Sequence, residues 1–84
     1  MAWIQYEFQI VAQCPVADVV DVYEATLRCR EQIDVEKILQ HVAPYALKKI
    51  YQEHLTQELA ALLPGKLKTV GTHSGVRTTV TVGP

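Results

Sequence analysis

The sequence predicts an α+β domain in which a four-stranded antiparallel sheet carries two consecutive helices on one face, in the order ββααββ. Three observations predict it. Residues 3–11 alternate apolar and polar groups at strand period, residues 34–63 repeat apolar groups at helical period, and two runs rich in Val and Thr close the chain around His73-Ser74-Gly75.

The first strand places Ile4, Tyr6, Phe8 and Ile10 on one face and Gln5, Glu7 and Gln9 on the other. Cys14-Pro15 to Asp18 then breaks the pattern, and the β-branched run VVDVYEATLR over residues 19–28 reads as a second strand. Val20, Val22, Glu24 and Thr26 oppose Val19, Asp21, Tyr23, Ala25 and Leu27, so this strand has apolar groups on both faces. One face is expected against the helices and the other against a second subunit.

Asp34 is placed to accept from the free N–H groups of a first helical turn, a cap worth about 1 kcal/mol, with Ile33 and Ile38 at the spacing of a hydrophobic staple. Ile38, Leu39, Val42 and Ala46 continue as a helical stripe. Pro44 removes one N–H and should interrupt it. From Leu47 onward Ile50, Tyr51, Leu55, Leu59, Leu62 and Leu63 resume the spacing until Pro64-Gly65 stops it. Residues 66–72 and 76–82 then form a hairpin.

Residues 1–84 make a single domain, since a chain this short holds one core. An apolar fraction of 49% is generous for that core, and the final strand carries no proline or glycine within residues 76–82. Both features predict a homo-oligomer built by strand pairing, with the edges removed if the sheets close into a barrel. Eight basic and nine acidic residues, without a long block of either sign, argue against nucleic acid as a partner. No apolar run is long enough to cross a bilayer and residues 1–12 lack the apolar core of a secretory signal, so no membrane partner is expected. Cys14 and Cys29 lack CxxC spacing, which points to free thiols in a reducing cytoplasmic compartment.

Tyr45-Ala46, Lys48-Lys49 and Gln52-Glu53-His54-Leu55-Thr56 follow one another in an order that resembles the helical pair of GTP cyclohydrolase I, and His73, Gly75-Val76 and Thr79-Val80-Thr81 look like its last hairpin. The resemblance covers roughly the last 50 residues. That family belongs to the tunnelling-fold superfamily, with dihydroneopterin aldolase, pyruvoyltetrahydropterin synthase and the nitrile reductase of queuosine synthesis. The resemblance implies subunits assembled into a barrel, with purine or pterin pockets at subunit boundaries. It departs at the zinc site, which in the cyclohydrolase uses a Cys-Glu-His-His segment and a second cysteine two residues after the hairpin histidine. Here Cys14 precedes Pro15-Val16-Ala17, and Gly75 stands two residues after His73. No metal and no other cofactor is therefore expected.

The resemblance assigns the anchoring of a purine or pterin edge to Glu53, with Gln52 and Thr56 beside it. A carboxylate suits that task, because its two oxygens accept parallel N–H bonds from a ring nitrogen and an exocyclic amine. His73, in a turn, is the candidate acid/base. Arg77 is the candidate partner for a ligand phosphate or carboxylate. His41 and His54 read as structural or solvent-facing. Three functions stay open: a metal-independent enzyme acting on a purine, deazapurine or pterin, a non-catalytic oligomer that binds or scaffolds, and a small protein-interaction domain with no pterin ancestry.

Overall fold

The computed structural model describes residues 2–84. Four antiparallel strands, β1 (Ile4–Gln13), β2 (Val20–Cys29), β3 (Lys66–His73) and β4 (Val76–Val82), lie side by side in sequence order. Between β2 and β3 the chain forms α1 (Val35–Val42), one stretch of 3₁₀ helix (Ala43–Leu47) and α2 (Gln52–Ala60). The ββααββ order and the hairpins agree with the sequence reading.

Register explains the core. Tyr6 faces Leu27, Phe8 faces Ala25 and Ile10 faces Tyr23 across β1 and β2, while Leu27 faces Leu67 across β2 and β3. These residues share one face of the sheet, and Ile38, Val42, Tyr45, Leu55, Leu59 and Leu63 cover it from the helical side. Fully burying a side chain of this size contributes roughly 1.5–3 kcal/mol, so this single layer carries most of the stabilisation. The opposite face, with Val11, Val20 and Val22 on it, is exposed in the single chain.

The helical region corrects the expected pattern. Asp34 caps α1 as expected, its Oδ1 accepting from the Glu36 N–H at 3.0 Å, and Ile33 is tied to β1 by its own N–H donating to the Tyr6 hydroxyl at 2.9 Å. From Ala43, just before Pro44, however, the chain narrows to 3₁₀ geometry and then leaves helix altogether. β1 captures it: Gln13 N–H donates to the Lys48 carbonyl at 2.8 Å, Ile50 N–H donates to the Gln13 carbonyl at 3.2 Å, and the Gln13 side chain donates to the Ala46 carbonyl at 2.8 Å. Ile50 and Tyr51 are consequently extended rather than helical. Leu39, Leu47 and Leu62, counted in the apolar stripe, are exposed, and Leu63 reaches the core from the turn after α2.

The two helical pieces meet through Tyr45, whose hydroxyl donates to Glu58 Oε1 at 3.0 Å. Burial, then the hydrogen bond to Glu58 and its negative charge, push the Tyr45 phenol up from its ordinary value of 10.0 to about 12. A raised phenol favours the neutral, proton-bound form in the fold, so its contribution is complete below pH 10 and is lost as pH rises through about 12. Urea unfolding between pH 9 and about 12 should therefore show stability falling with pH, and Tyr45→Phe should flatten part of that fall.

Candidate functional site

A cleft of about 570 Å³ opens at the end of the sheet where β1 finishes, β2 starts and the β3–β4 turn lies. Four parts of the chain deliver its chemical groups. The loop after β1 brings Cys14, the second residue of β2 brings Asp21, the end of β3 brings His73, and the first turn of α2 brings Glu53 and His54. Pro15, Val16, Ile50, Tyr51 and Val80 supply apolar walls, a composition suited to a flat heterocycle with polar edges.

The polar floor is a connected network. Gln52 is buried, and its Nε2 donates to the Thr69 carbonyl at 3.1 Å, to Thr69 Oγ1 at 3.2 Å and to the Thr78 carbonyl at 3.0 Å. Thr56 Oγ1 donates to the Gln52 carbonyl at 2.7 Å and lies 2.7 Å from Thr69 Oγ1. Since the Thr56 hydroxyl has one hydrogen, Thr69 is the donor in the second contact. The two backbone carbonyls require the Gln52 NH₂ on their side, which turns Oε1 toward His73. His73 Nε2, 2.9 Å from Gln52 Oε1, must then carry a hydrogen and donate it. The network selects the Nε2–H tautomer and leaves Nδ1 toward the carboxylate of Asp21, 3.8 Å from its Oδ1.

Asp21 is in turn held by Tyr23, whose hydroxyl donates to Oδ2 at 3.2 Å. Burial of the phenol, reinforced by the Asp21 charge and hydrogen bond, raises its pKa far above the ordinary tyrosine range and keeps it a donor. The Tyr23 ring leans on the His73 ring, centroids 5.7 Å apart. Gly71 makes room for it, because a Cβ there would sit 2.5 Å from Tyr23 Cδ1. At the neighbouring turn Ser74 (φ 50°) and Gly75 (φ 82°) adopt the left-handed pair of a two-residue hairpin, which sets His73 at the cleft edge.

The fold matches that of archaeosine synthase QueF-Like. The crystal structure of that protein in its apo form superposes with a TM-score of 0.82 at 20% sequence identity, over 95% of this chain and 90% of that one. The ββααββ architecture expected from the sequence is thereby shared with a solved structure. No family model matches the chain, and no curated protein does.

Among the residues singled out from sequence, the structure brings Glu53, Gln52 and His73 to the cleft. Glu53 is exposed at its mouth, next to the first-turn N–H groups of α2, which no side chain caps. Gln52 has its amide fully engaged by protein partners, so it positions His73. Thr56 is completely buried beneath Gln52. Arg77 stands opposite Thr72 on the outer face of the hairpin and does not line the cleft. His54, read as structural or solvent-facing, is exposed and belongs to the cleft wall, while His41 lies on α1 away from it. Cys14, Asp21 and Tyr23 were not anticipated. One signal was available: Asp21 shares strand parity with Tyr23, Ala25 and Leu27, an acid on an otherwise apolar face. Among the described residues no three His, Cys, Asp or Glu side chains are grouped to hold a metal, and no helix is long and apolar enough to cross a membrane.

Proposed function

We propose that this chain is the subunit of a tunnelling-fold homo-oligomer that binds a purine, deazapurine or pterin base in the cleft, with Glu53 as its anchor and His73 as the proton-transferring group. The observation that carries this reading is the convergence of Glu53, His73, Asp21 and Cys14 on one apolar-walled cleft. Such a set suits a flat ring whose edge donates N–H groups to a carboxylate. Cys14 adds a thiol nucleophile to the wall of the same cleft, which it shares with an imidazole and a carboxylate able to move protons. That combination favours an enzyme over a scaffold. The fold shared with an archaeosine synthase directs attention to deazapurines within the base class.

The test is a thermal-shift screen of the native particle with guanine, 7-deazaguanine derivatives, neopterin and GTP, where a specific ligand raises the melting temperature with its concentration. Alkylation gives a second readout. Cys29 is buried, so Cys14 is the accessible thiol, and a ligand seated in the cleft should slow its reaction with iodoacetamide. If none of these bases raises the melting temperature or protects Cys14, the reading fails.

Thr78 and Val80, on edge strand β4, form one wall of the cleft, so a second copy pairing with that edge would complete the pocket. Val80→Pro removes a donor of the β3–β4 ladder, where Val80 pairs with Thr69, and is expected to dissociate or unfold the oligomer, with loss of base binding. Light scattering of the wild-type protein as a monomer at micromolar concentration would refute the assembly.

A further inference from the structure

The hydrogens around Asp21 and His73 are all accounted for but one. The Tyr23 hydroxyl gives its hydrogen to Asp21 Oδ2, and His73 Nε2–H gives its own to Gln52 Oε1. Gln52 cannot turn its amide over, because the Thr69 and Thr78 carbonyls hold its NH₂. Tyr23 does not pass its proton outright to Asp21, since burial of the phenol, then the Asp21 charge and hydrogen bond, hold it far above the ordinary tyrosine range. Two acceptors remain, His73 Nδ1 and Asp21 Oδ1, 3.8 Å apart. Among the described residues no hydrogen-bond donor reaches either atom. In the neutral imidazole they turn lone pairs toward each other. The His73 side chain is 35% exposed, so solvent reaches the pair through the open cleft, while Asp21 keeps only 12%. Across the cleft stand Cys14 from the loop after β1 and Glu53 and His54 from α2, and β4 adds the uncharged Thr78 and Val80.

We propose that filling the cleft loads the Asp21–His73 pair with one proton, taken from solvent as the base binds. The loading rests on the base-binding reading of the same cleft. A ring seated there covers both side chains from water. Without the added proton it would seal a carboxylate charge and a bare imidazole nitrogen against each other, and an unpaired acceptor is costly once water is gone. With the proton, a charge-assisted bond joins Nδ1 and Oδ1 and completes the chain from Tyr23 through Asp21 and His73 to Gln52. One of the two carboxylates facing the ring is thereby neutralised, and Glu53 stays ionised to accept from the N–H edge. The count is one proton for the pair, whichever of the two atoms holds it. His73 then carries a transferable proton only when a ring is present to receive it. Asp21 and Tyr23 are positioning residues that act through His73.

The whole protein is titrated with 7-deazaguanine in a calorimeter at about pH 8, above the ordinary histidine value, in two buffers of different ionisation enthalpy. The difference in heat between the buffers counts the protons taken up. Uptake approaching one proton is expected for the wild type. Since the bound state then holds more protons than the free state, affinity falls as pH rises, by roughly tenfold per pH unit. Asp21→Asn and His73→Gln should each bring the uptake close to zero and flatten that dependence, because the proton needs both atoms, and either variant that folds suffices. His41→Gln on α1 should keep the uptake. A merely structural role for Asp21 would weaken binding without changing the number of protons. Binding without uptake in the wild type would overturn the proposal and leave the base-binding reading standing, with a ligand N–H in the place of the proton. Uptake retained in both variants would assign the proton to another group and overturn it as well. If 7-deazaguanine does not bind and guanine, neopterin and GTP leave the melting temperature unchanged, the base-binding reading falls and the proton loading with it.

Discussion

Glu53→Gln is expected to lower base affinity by about 2–4 kcal/mol, roughly 30- to 1000-fold, while leaving the fold nearly intact. A carboxylate can accept from a ring N–H and an exocyclic amine together, and the amide keeps one acceptor but turns an NH₂ against the second donor. A ligand seated over Glu53 covers that position from solvent, so its donor then loses a partner that water cannot fully replace. Stability should change by no more than the roughly 0.3–1 kcal/mol that an acidic group contributes near a helix N-terminus, since Glu53 is exposed and makes no hydrogen bond that supports the core. Calorimetry of wild type and variant with the ligand found by thermal shift separates these effects. An affinity unchanged in Glu53→Gln would remove Glu53 from the role of anchor even if a base does bind.

Gln52→Leu is expected to destabilise the protein by about 3 kcal/mol, a large fraction of the roughly 5–15 kcal/mol available to a domain. The leucine fits the volume but leaves the Thr69 and Thr78 carbonyls and the His73 Nε2–H without the partner they have now. A buried polar group left unpaired costs roughly 1–3 kcal/mol, so the loss exceeds that of one hydrogen bond. Gln52→Glu offers a sharper test. Its carboxylate can still accept from His73 but opposes the Thr69 and Thr78 carbonyls with an oxygen. The variant should be as unstable as Gln52→Leu at neutral pH and regain stability as the pH falls and the carboxyl acquires a proton to donate. In wild type, ¹⁵N spectra of the His73 ring should show Nε2 protonated and Nδ1 bare in the neutral imidazole. Both nitrogens exchanging between tautomers would show that Gln52 does not orient the ring.

Local chemistry made the element order legible without the structure. The period of residues 3–11, the Asp34 cap, the Pro64-Gly65 stop and the His73-Ser74-Gly75 turn act over a few residues, and each is visible where it stands in the chain. The anchor candidate Glu53, its neighbour Gln52 and the acid/base candidate His73 were also named from sequence, Glu53 and Gln52 through resemblance to a family motif. What separates them was not visible there, because exposure depends on what the helix packs against. Two neighbours in one motif have opposite fates: Gln52 is buried under the hairpin and spends its amide on protein partners, while Glu53 faces solvent at the cleft mouth.

Three features were decided by tertiary contact alone. The extended segment from Lys48 to Tyr51 contradicts its own helical spacing because the Gln13 backbone, some 35 residues away, takes its hydrogen bonds. Asp21 becomes part of a site only because β2 register, the Tyr23 hydroxyl and the end of β3 set it beside His73. Arg28 and Lys66 become a charged pair only through the β2–β3 register. Periodicity records which face a residue occupies, whereas pairing between distant strands decides which side chains meet. The sequence therefore determined the order and type of the elements, and the antiparallel register of the folded sheet decided the chemistry at both of its ends.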